Sequence, residues 1–279
     1  MRSFSYHTHS SYCDGKGEPR EFVERAIDLN MESIGFSAHT PLPFENVWSM
    51  EAERYEEYCG EIRRLTQEYK GQIEVYLSLE LDYIPNRSFD FLEMNRKGNL
   101  DYTIGSVHLV AREGRKDLWF LDGPDTNYSK GLTEIFDGDI QLAVGAYFQQ
   151  VNEMLRMHRP DIVGHIDKVK MNNKGRYFSE KEEWYLKLVQ ETLDVVRECG
   201  TIVEVNTRGI YKGKSKDLFP GDFVLAECLQ RNIPVTISTD AHHPDELLGY
   251  FEEARQQLKG LGFREIMRFR NGKWENQSL

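Results

Sequence analysis

The sequence predicts an α/β barrel, a ring of parallel strands wrapped by helices, and three observations predict it. Short apolar runs, polar loops and amphipathic stretches alternate without interruption along the 279 residues, the order of parallel strands joined by crossover helices. About seven such rounds in one chain favour a closed barrel over an open sheet, and the length suits a single barrel domain spanning residues 1–279. Finally, a histidine or a carboxylate stands at the end of most of the apolar runs. In a barrel those ends share one rim.

The first run, Phe4-Ser5-Tyr6-His7-Thr8-His9-Ser10, reads as a strand. Residues i and i+2 of a strand face one side, so His7 and His9 present both imidazoles together, a spacing suited to one metal ion. A polar, glycine-containing loop over 11–19 carries Asp14, and Phe22, Val23, Ala26, Ile27 and Leu29 then mark a helix. The second strand, 33–37, runs into Ala38-His39-Thr40-Pro41, where Pro41 and Pro43 end regular structure. A charged helix is expected over 49–70. A strand over 73–79 has apolar residues on alternate positions and Glu80 at its end. Residues 87–97 read as a short helix and 102–107 as a strand ending at His108. The polar stretch 111–139 is expected to be a long loop of the functional or mobile kind. A helix over 142–157 leads to a strand over 161–164 and to His165. A helix over 180–198 leads to a strand over 201–206, followed by Thr207-Arg208-Gly209. A helix over 221–231 precedes the strand 234–238, which empties into Thr239-Asp240-Ala241-His242-His243. A helix over 245–259 and a strand over 265–270 complete the pattern.

Composition narrows the partners. The net charge is −11 and no basic stripe stands out, which argues against nucleic acid, whose affinity rests on phosphate neutralisation. No apolar run approaches the ~20 residues that cross a bilayer, and the N-terminus lacks a signal pattern, so a cytoplasmic protein without a membrane partner is expected. Cys13, Cys59, Cys199 and Cys228 are far apart and read as free thiols.

His7, His9, Asp14, His39, Glu80, His108, His165, Asp240 and His242 all fall at or just beyond a predicted strand end or in the first such loop. Each alone is commonly a turn former, a cap or a hydrogen-bonded structural residue. Gathered in one mouth, they would repel one another and be costly to bury unless cations bound them. Nine ligands exceed the needs of one tetrahedral ion. Two or three divalent ions fit the count, and zinc, manganese and iron all accept nitrogen and oxygen donors.

These residues resemble the polymerase and histidinol phosphatase (PHP) family. The motifs are His7-Thr8-His9, Ser37-Ala38-His39, Glu80, Gly105-Ser106-Val107-His108, Gly164-His165-Ile166-Asp167 and Asp240-Ala241-His242. The resemblance implies a distorted (β/α)7 TIM-like barrel with its active site at the C-terminal ends of the strands and a trinuclear metal centre. It assigns His7, His9, Glu80 and Asp240 to one ion, Glu80, His108 and His165 to a second, and Asp14, His39 and His242 to the third; many members have histidine where this chain has Asp14. Within the family the chain is most similar to the bacterial monofunctional histidinol-phosphatases. The similarity rests on Trp119-Phe120-Leu121-Asp122, the Gly-His-Ile-Asp run ending at Lys170, and Glu204-Val205-Asn206-Thr207.

The implied activity is hydrolysis of a small-molecule phosphate monoester, L-histidinol phosphate, by a metal-bound hydroxide; the alternative is a PHP phosphatase acting on another monoester such as phosphotyrosine or a nucleotide, and after it a PHP exonuclease or a non-catalytic metal-binding protein. Arg208 and Lys170 are the expected phosphate-binding cations, with Lys168 read as an ordinary surface cation. His243 or Asp167 could protonate the leaving alkoxide or orient ligands, and the sequence does not choose between them. Trp119, Phe120 and Asp122 weigh equally as recognition residues and as anchors of the 111–139 segment.

Overall fold

In the computed structural model, which describes residues 2–279, seven strands lie side by side in one sheet in chain order. They are β1 (Phe4–Ser5), β2 (Ser33–His39), β3 (Glu74–Asp82) and β4 (Ile104–Ser106), then, beyond a small hairpin of β5 (Leu109–Ala111) and β6 (Leu118–Phe120), β7 (Ile162–Val163), β8 (Ile202–Asn206) and β9 (Val235–Ser238). Every adjacent pair is parallel. The two edges meet at a parallel bridge between Thr8 and Ala241. There the His9 N–H donates to the Ala241 carbonyl at 2.8 Å and the Ala241 N–H donates to the His7 carbonyl at 3.2 Å. The sheet is therefore a near-closed parallel barrel. Its strands are buried on both faces, as all seven residues of β2 show, which is why they read as continuous apolar runs.

The helices are α1 (Pro19–Asp28), α2 (Tyr55–Glu68), α3 (Phe91–Gly98), α4 (Asp125–Phe136), α5 (Ile140–His158), α6 (Glu183–Cys199), α7 (Arg208–Tyr211), α8 (Asp222–Gln230) and α9 (Phe251–Leu261). Their inner stripes follow the helical period: Tyr55, Tyr58, Ile62 and Leu65 of α2 are all buried. Pro19 opens α1 inside a capping box made by Glu18 and Glu21. One strand does not alternate with one helix throughout. Two helices separate β6 from β7, and two separate β8 from β9.

Three expectations are corrected by the structure. The first strand is regular only over Phe4–Ser5; beyond it Thr8 bridges Ala241 while its carbonyl still accepts from the Ser37 N–H of β2. The 111–139 stretch is not a loop: it completes the β5–β6 hairpin and forms α4. Trp119 anchors it, fully buried, with its indole N–H donating to the Tyr128 carbonyl at 2.9 Å. The helix expected over 245–259 begins at Phe251, because Pro244–Glu246 forms a 3-10 turn capped by His243. Among the described residues no helix is long and apolar enough to cross a membrane, and all four cysteines are free.

The strand expected over 265–270 is present as β10 (Glu265–Arg270), paired antiparallel with β11 (Lys273–Ser278). This hairpin closes the end of the barrel away from the histidines. Phe269 and Trp274 pack on Tyr6, which follows β1, and on Tyr102, which precedes β4. The Tyr6 hydroxyl donates to the Phe269 carbonyl and accepts from its N–H, each at 3.0 Å. Phe269 is buried among three aromatic rings: Tyr76 and Trp274 meet it edge-on, and Tyr102 lies tilted against it. Phe269→Ala is expected to cost about 3–5 kcal/mol of stability, read as a shift in the urea unfolding midpoint.

Candidate metal centre

Strand register brings the first pieces together. His39 lies directly beside Glu80 across β2 and β3. Glu80 and Asp82 are two apart on β3 and so share a face, and the same spacing holds for Glu204 and Asn206 on β8. The rest arrive from the loops that follow β1, β4, β7 and β9. Gly15 lets the first loop fold back on itself: a Cβ there would stand 2.4 Å from the His9 carbonyl carbon and the Ser10 nitrogen. His165 and Asp240 hold positive φ values of 24° and 50°, conformations that side chains rarely adopt and that cluster at functional sites.

All nine residues singled out in the sequence meet in one place. The Glu80 carboxylate lies 3.2 Å from His7 Nε2, 3.4 Å from His9 Nε2, 3.1 Å from His39 Nδ1, 3.1 Å from His165 Nε2 and 3.7 Å from His108 Nε2. Asp240 Oδ1 is 3.4 Å from both His9 Nε2 and His242 Nδ1. Asp14 Oδ1 is 3.2 Å from His242 Nε2 and 3.8 Å from His39 Nε2. Three sets could each surround an ion: His9, Asp14, His39 and His242; His7, His9 and Asp240; and His39, Glu80 and His108. Against the division the resemblance implies, His9 and His39 each stand in two sets, and His165 joins through Glu80.

The imidazoles are aimed by partners that the sequence reading missed. His7 Nδ1–H donates to Glu204 at 2.5 Å and His108 Nδ1–H to Asp82 at 2.6 Å. The other Asp82 oxygen lies 3.1 Å from His39 Nδ1, and His242 Nδ1–H donates to the Asp240 carbonyl at 3.0 Å. Such partners fix ring orientation and leave the other nitrogen as the ligand atom. Asp82 was legible by its period-two spacing from Glu80; Glu204 was legible as a carboxylate inside an apolar strand.

The electrostatics are those of a dry, charged cluster. Burial alone would raise the Glu80 carboxyl, but the imidazoles of His7, His39 and His108 hold it well below the usual range. Burial and the neighbouring imidazoles of His242 and His39 push His9 well below its ordinary value, toward the neutral form that binds metals. Burial works against a charged His7 too, but the carboxylates of Glu204, Glu80 and Asp240 outweigh it and raise that group. His7 Nε2, His9 Nε2, Asp14 Oδ1 and Asp240 Oδ1 are buried without a hydrogen-bond partner. Unpartnered buried polar atoms of this kind are rare and costly. Their mixed nitrogen and oxygen chemistry fits divalent cations.

A cavity of about 270 Å³ opens over this cluster. Asp14, His39, Glu80, His108, Asp240 and His242 form one side, and Lys168, Arg208, Lys214, Asp122, Trp48, Phe120 and Val47 complete it. Arg208 is held by the Asp240 carbonyl at 2.9 Å and Glu246 at 3.1 Å. The structure does not bring Lys170 to this cavity. Its ammonium lies 2.7 Å from Asp167 in a separate recess. Lys168, read from sequence as a surface cation, is instead buried at the cavity, 2.7 Å from Asp122. The 3-10 turn over Lys168–Lys170 makes this difference, and no periodicity announces it. His243 and Asp167 also lie outside the cavity: His243 is exposed and caps a turn, and Asp167 accepts from the Gly221 N–H at 3.0 Å.

A family model described as PHP domain matches residues 5–208. The chain belongs to the PHP domain family. It is 28% identical over 272 residues to a Deinococcus radiodurans protein named "Probable histidinol-phosphatase", covering 96% of this chain and 97% of that one. It is 29% identical over 269 residues to the histidinol-phosphatase of Bacillus subtilis, covering 91% and 98%. Among solved structures, histidinol phosphate phosphatase from Lactococcus lactis, complexed with zinc, L-histidinol and phosphate, aligns with a TM-score of 0.68 at 21% identity. That alignment covers 98% of this chain and 99% of the other, and shows a shared fold. Membership and geometry together make the cluster the candidate metal centre of a PHP domain.

Asp82 steadies imidazoles on two sides of Glu80. Asp82→Asn is therefore expected to weaken metal binding roughly 10–100-fold with the fold retained, read by calorimetric titration with Zn²⁺ or Mn²⁺ alongside circular dichroism.

Proposed function

We propose that this protein hydrolyses L-histidinol phosphate to L-histidinol and inorganic phosphate, with one barrel domain spanning the chain. The observation that carries this function is the company kept in the cavity. Lys168, Arg208 and Lys214 share about 270 Å³ with the imidazoles and carboxylates suited to divalent cations. Cations of the chain set beside cations of a metal centre repel, and a polyanion between them removes the repulsion. The histidinol-phosphatase names of relatives matched over nearly their whole length support the choice of leaving group.

His7, His9, Asp14, His39, Glu80, His108, His165, Asp240 and His242 would hold two or three ions. Divalent ions bound there would supply Lewis acidity and lower the pKa of bound water. The chain's own groups do the rest. Glu80 offers oxygens to several imidazole-bearing sectors at once, as a bridging ligand does. The Arg208 fork, fixed by Glu246 and the Asp240 carbonyl, faces phosphoryl oxygens as a ready-made clamp. Lys168, held by Asp122, adds a second cation against the same oxygens, in the place the sequence reading had given to Lys170.

Steady-state phosphate release from histidinol phosphate tests this function. Turnover is expected to fall to background in excess chelator and to return with added Mn²⁺ or Zn²⁺. Lys168→Met is expected to lower kcat/KM by roughly 10- to 100-fold, the worth of a hydrogen bond to a charged group. Lack of phosphate release from this ester with metal supplied would reject the function.

A further inference from the structure

The cavity has a second character that the phosphoryl chemistry does not use. Trp48 and Phe120 line it with rings within 14° of parallel and centroids 6.3 Å apart. Both are only part-buried, so ring surface remains open to the cavity. Val47 lines the same mouth and is 97% exposed. The local structure explains the presentation. On β6 successive side chains alternate, so Trp119 enters the core while Phe120 faces the cavity. Asp122, two residues on, lines the same cavity. Trp48 comes from the loop after β2 and lies edge-on to His39, 4.8 Å between centroids.

Open aromatic faces beside a polar, charged floor mark a ligand subsite rather than core packing. We propose that Trp48 and Phe120, with Val47 at the rim, form the leaving-group subsite and select phosphate esters whose alcohol carries a flat, unsaturated ring. The phosphoryl group lies over the imidazole–carboxylate cluster and its clamping cations, and the ring stacks on the aromatic flank. This rests on the phosphatase function proposed above but assigns selection to residues outside the metal cluster. Trp48 and Phe120 are specificity-determining residues because they touch the part of the substrate that varies between esters.

The test compares benzyl phosphate with propyl phosphate, and the non-hydrolysable benzylphosphonate with propylphosphonate, on the metal-loaded protein. The wild type is expected to favour the benzyl compound by about tenfold or more in kcat/KM and in calorimetric Kd, the scale of one well-packed aromatic contact. Trp48→Ala and Phe120→Ala are each expected to collapse both ratios toward unity, and Trp48→Phe to keep most of them. Wild-type ratios near one would overturn the proposal. So would variants that weaken both compounds equally, because Trp48 would then merely brace His39. Histidinol phosphate turnover is measured in parallel. If that ester is not hydrolysed while the benzyl preference and its loss persist, the substrate named above is wrong and the subsite stands.

Discussion

Everything at the mouth of this barrel depends on a carboxylate buried among imidazoles. Glu80 is 1% exposed and lies within 3.7 Å of five histidine rings. A lone ionised carboxylate so placed would cost several kcal/mol and would take up a proton instead. The surrounding rings hold it ionised, and three of them, His7, His39 and His108, are in turn fixed by Glu204 and Asp82. Remove the outer carboxylates and the inner geometry has no reason to persist. The cluster is a nest of mutual obligations, and divalent cations at its centre satisfy the atoms that the protein leaves unpaired.

The barrel exists to deliver those groups. Parallel strands alone place His39 beside Glu80, and the closing bridge at Thr8 and Ala241 sets the first histidine pair beside Asp240 and His242. The strained backbone at His165 and Asp240 is a local cost that a well-packed barrel can bear. On the far side of the cavity the hairpin and its following helix, anchored by Trp119, turn an aromatic ring and a carboxylate back toward the same space. Metal-facing residues come from strand ends and cavity-facing recognition residues from inserted segments, the usual division in a barrel whose loops vary while its ring does not.

Much of this was legible in the chain. Alternating apolar runs revealed the strands because both faces are buried, and a polar residue of ligand type at the end of most runs revealed the rim. What could not be read had physical causes. Lys168 and Lys170 differ only in which way a 3-10 turn points them, and their sequence context is the same. Trp48 sits in a loop between prolines and a helix, where no period predicts a direction. The 111–139 stretch looked structureless because β6 is only three residues long and the apolar residues that tie it to the core are spread thinly among polar ones. Asp82 and Glu204 were within reach: Asp82 was passed over because its strand runs three residues beyond the expected end at 79, and Glu204 because it stands mid-strand.

The two ends of the polypeptide are stitched together twice. Ala241 hydrogen-bonds across to the His7–His9 backbone, and Phe269 grips the ring hydroxyl of Tyr6, 263 residues away, one position before the first ligand. Contacts this distant in sequence form late and slowly. During synthesis on the ribosome, which proceeds from the N-terminus, the opening His-Thr-His segment must wait for nearly the whole chain to emerge before it is held in place. Nascent or C-terminally clipped chains thus carry the earliest-made imidazoles without the scaffold that aims them.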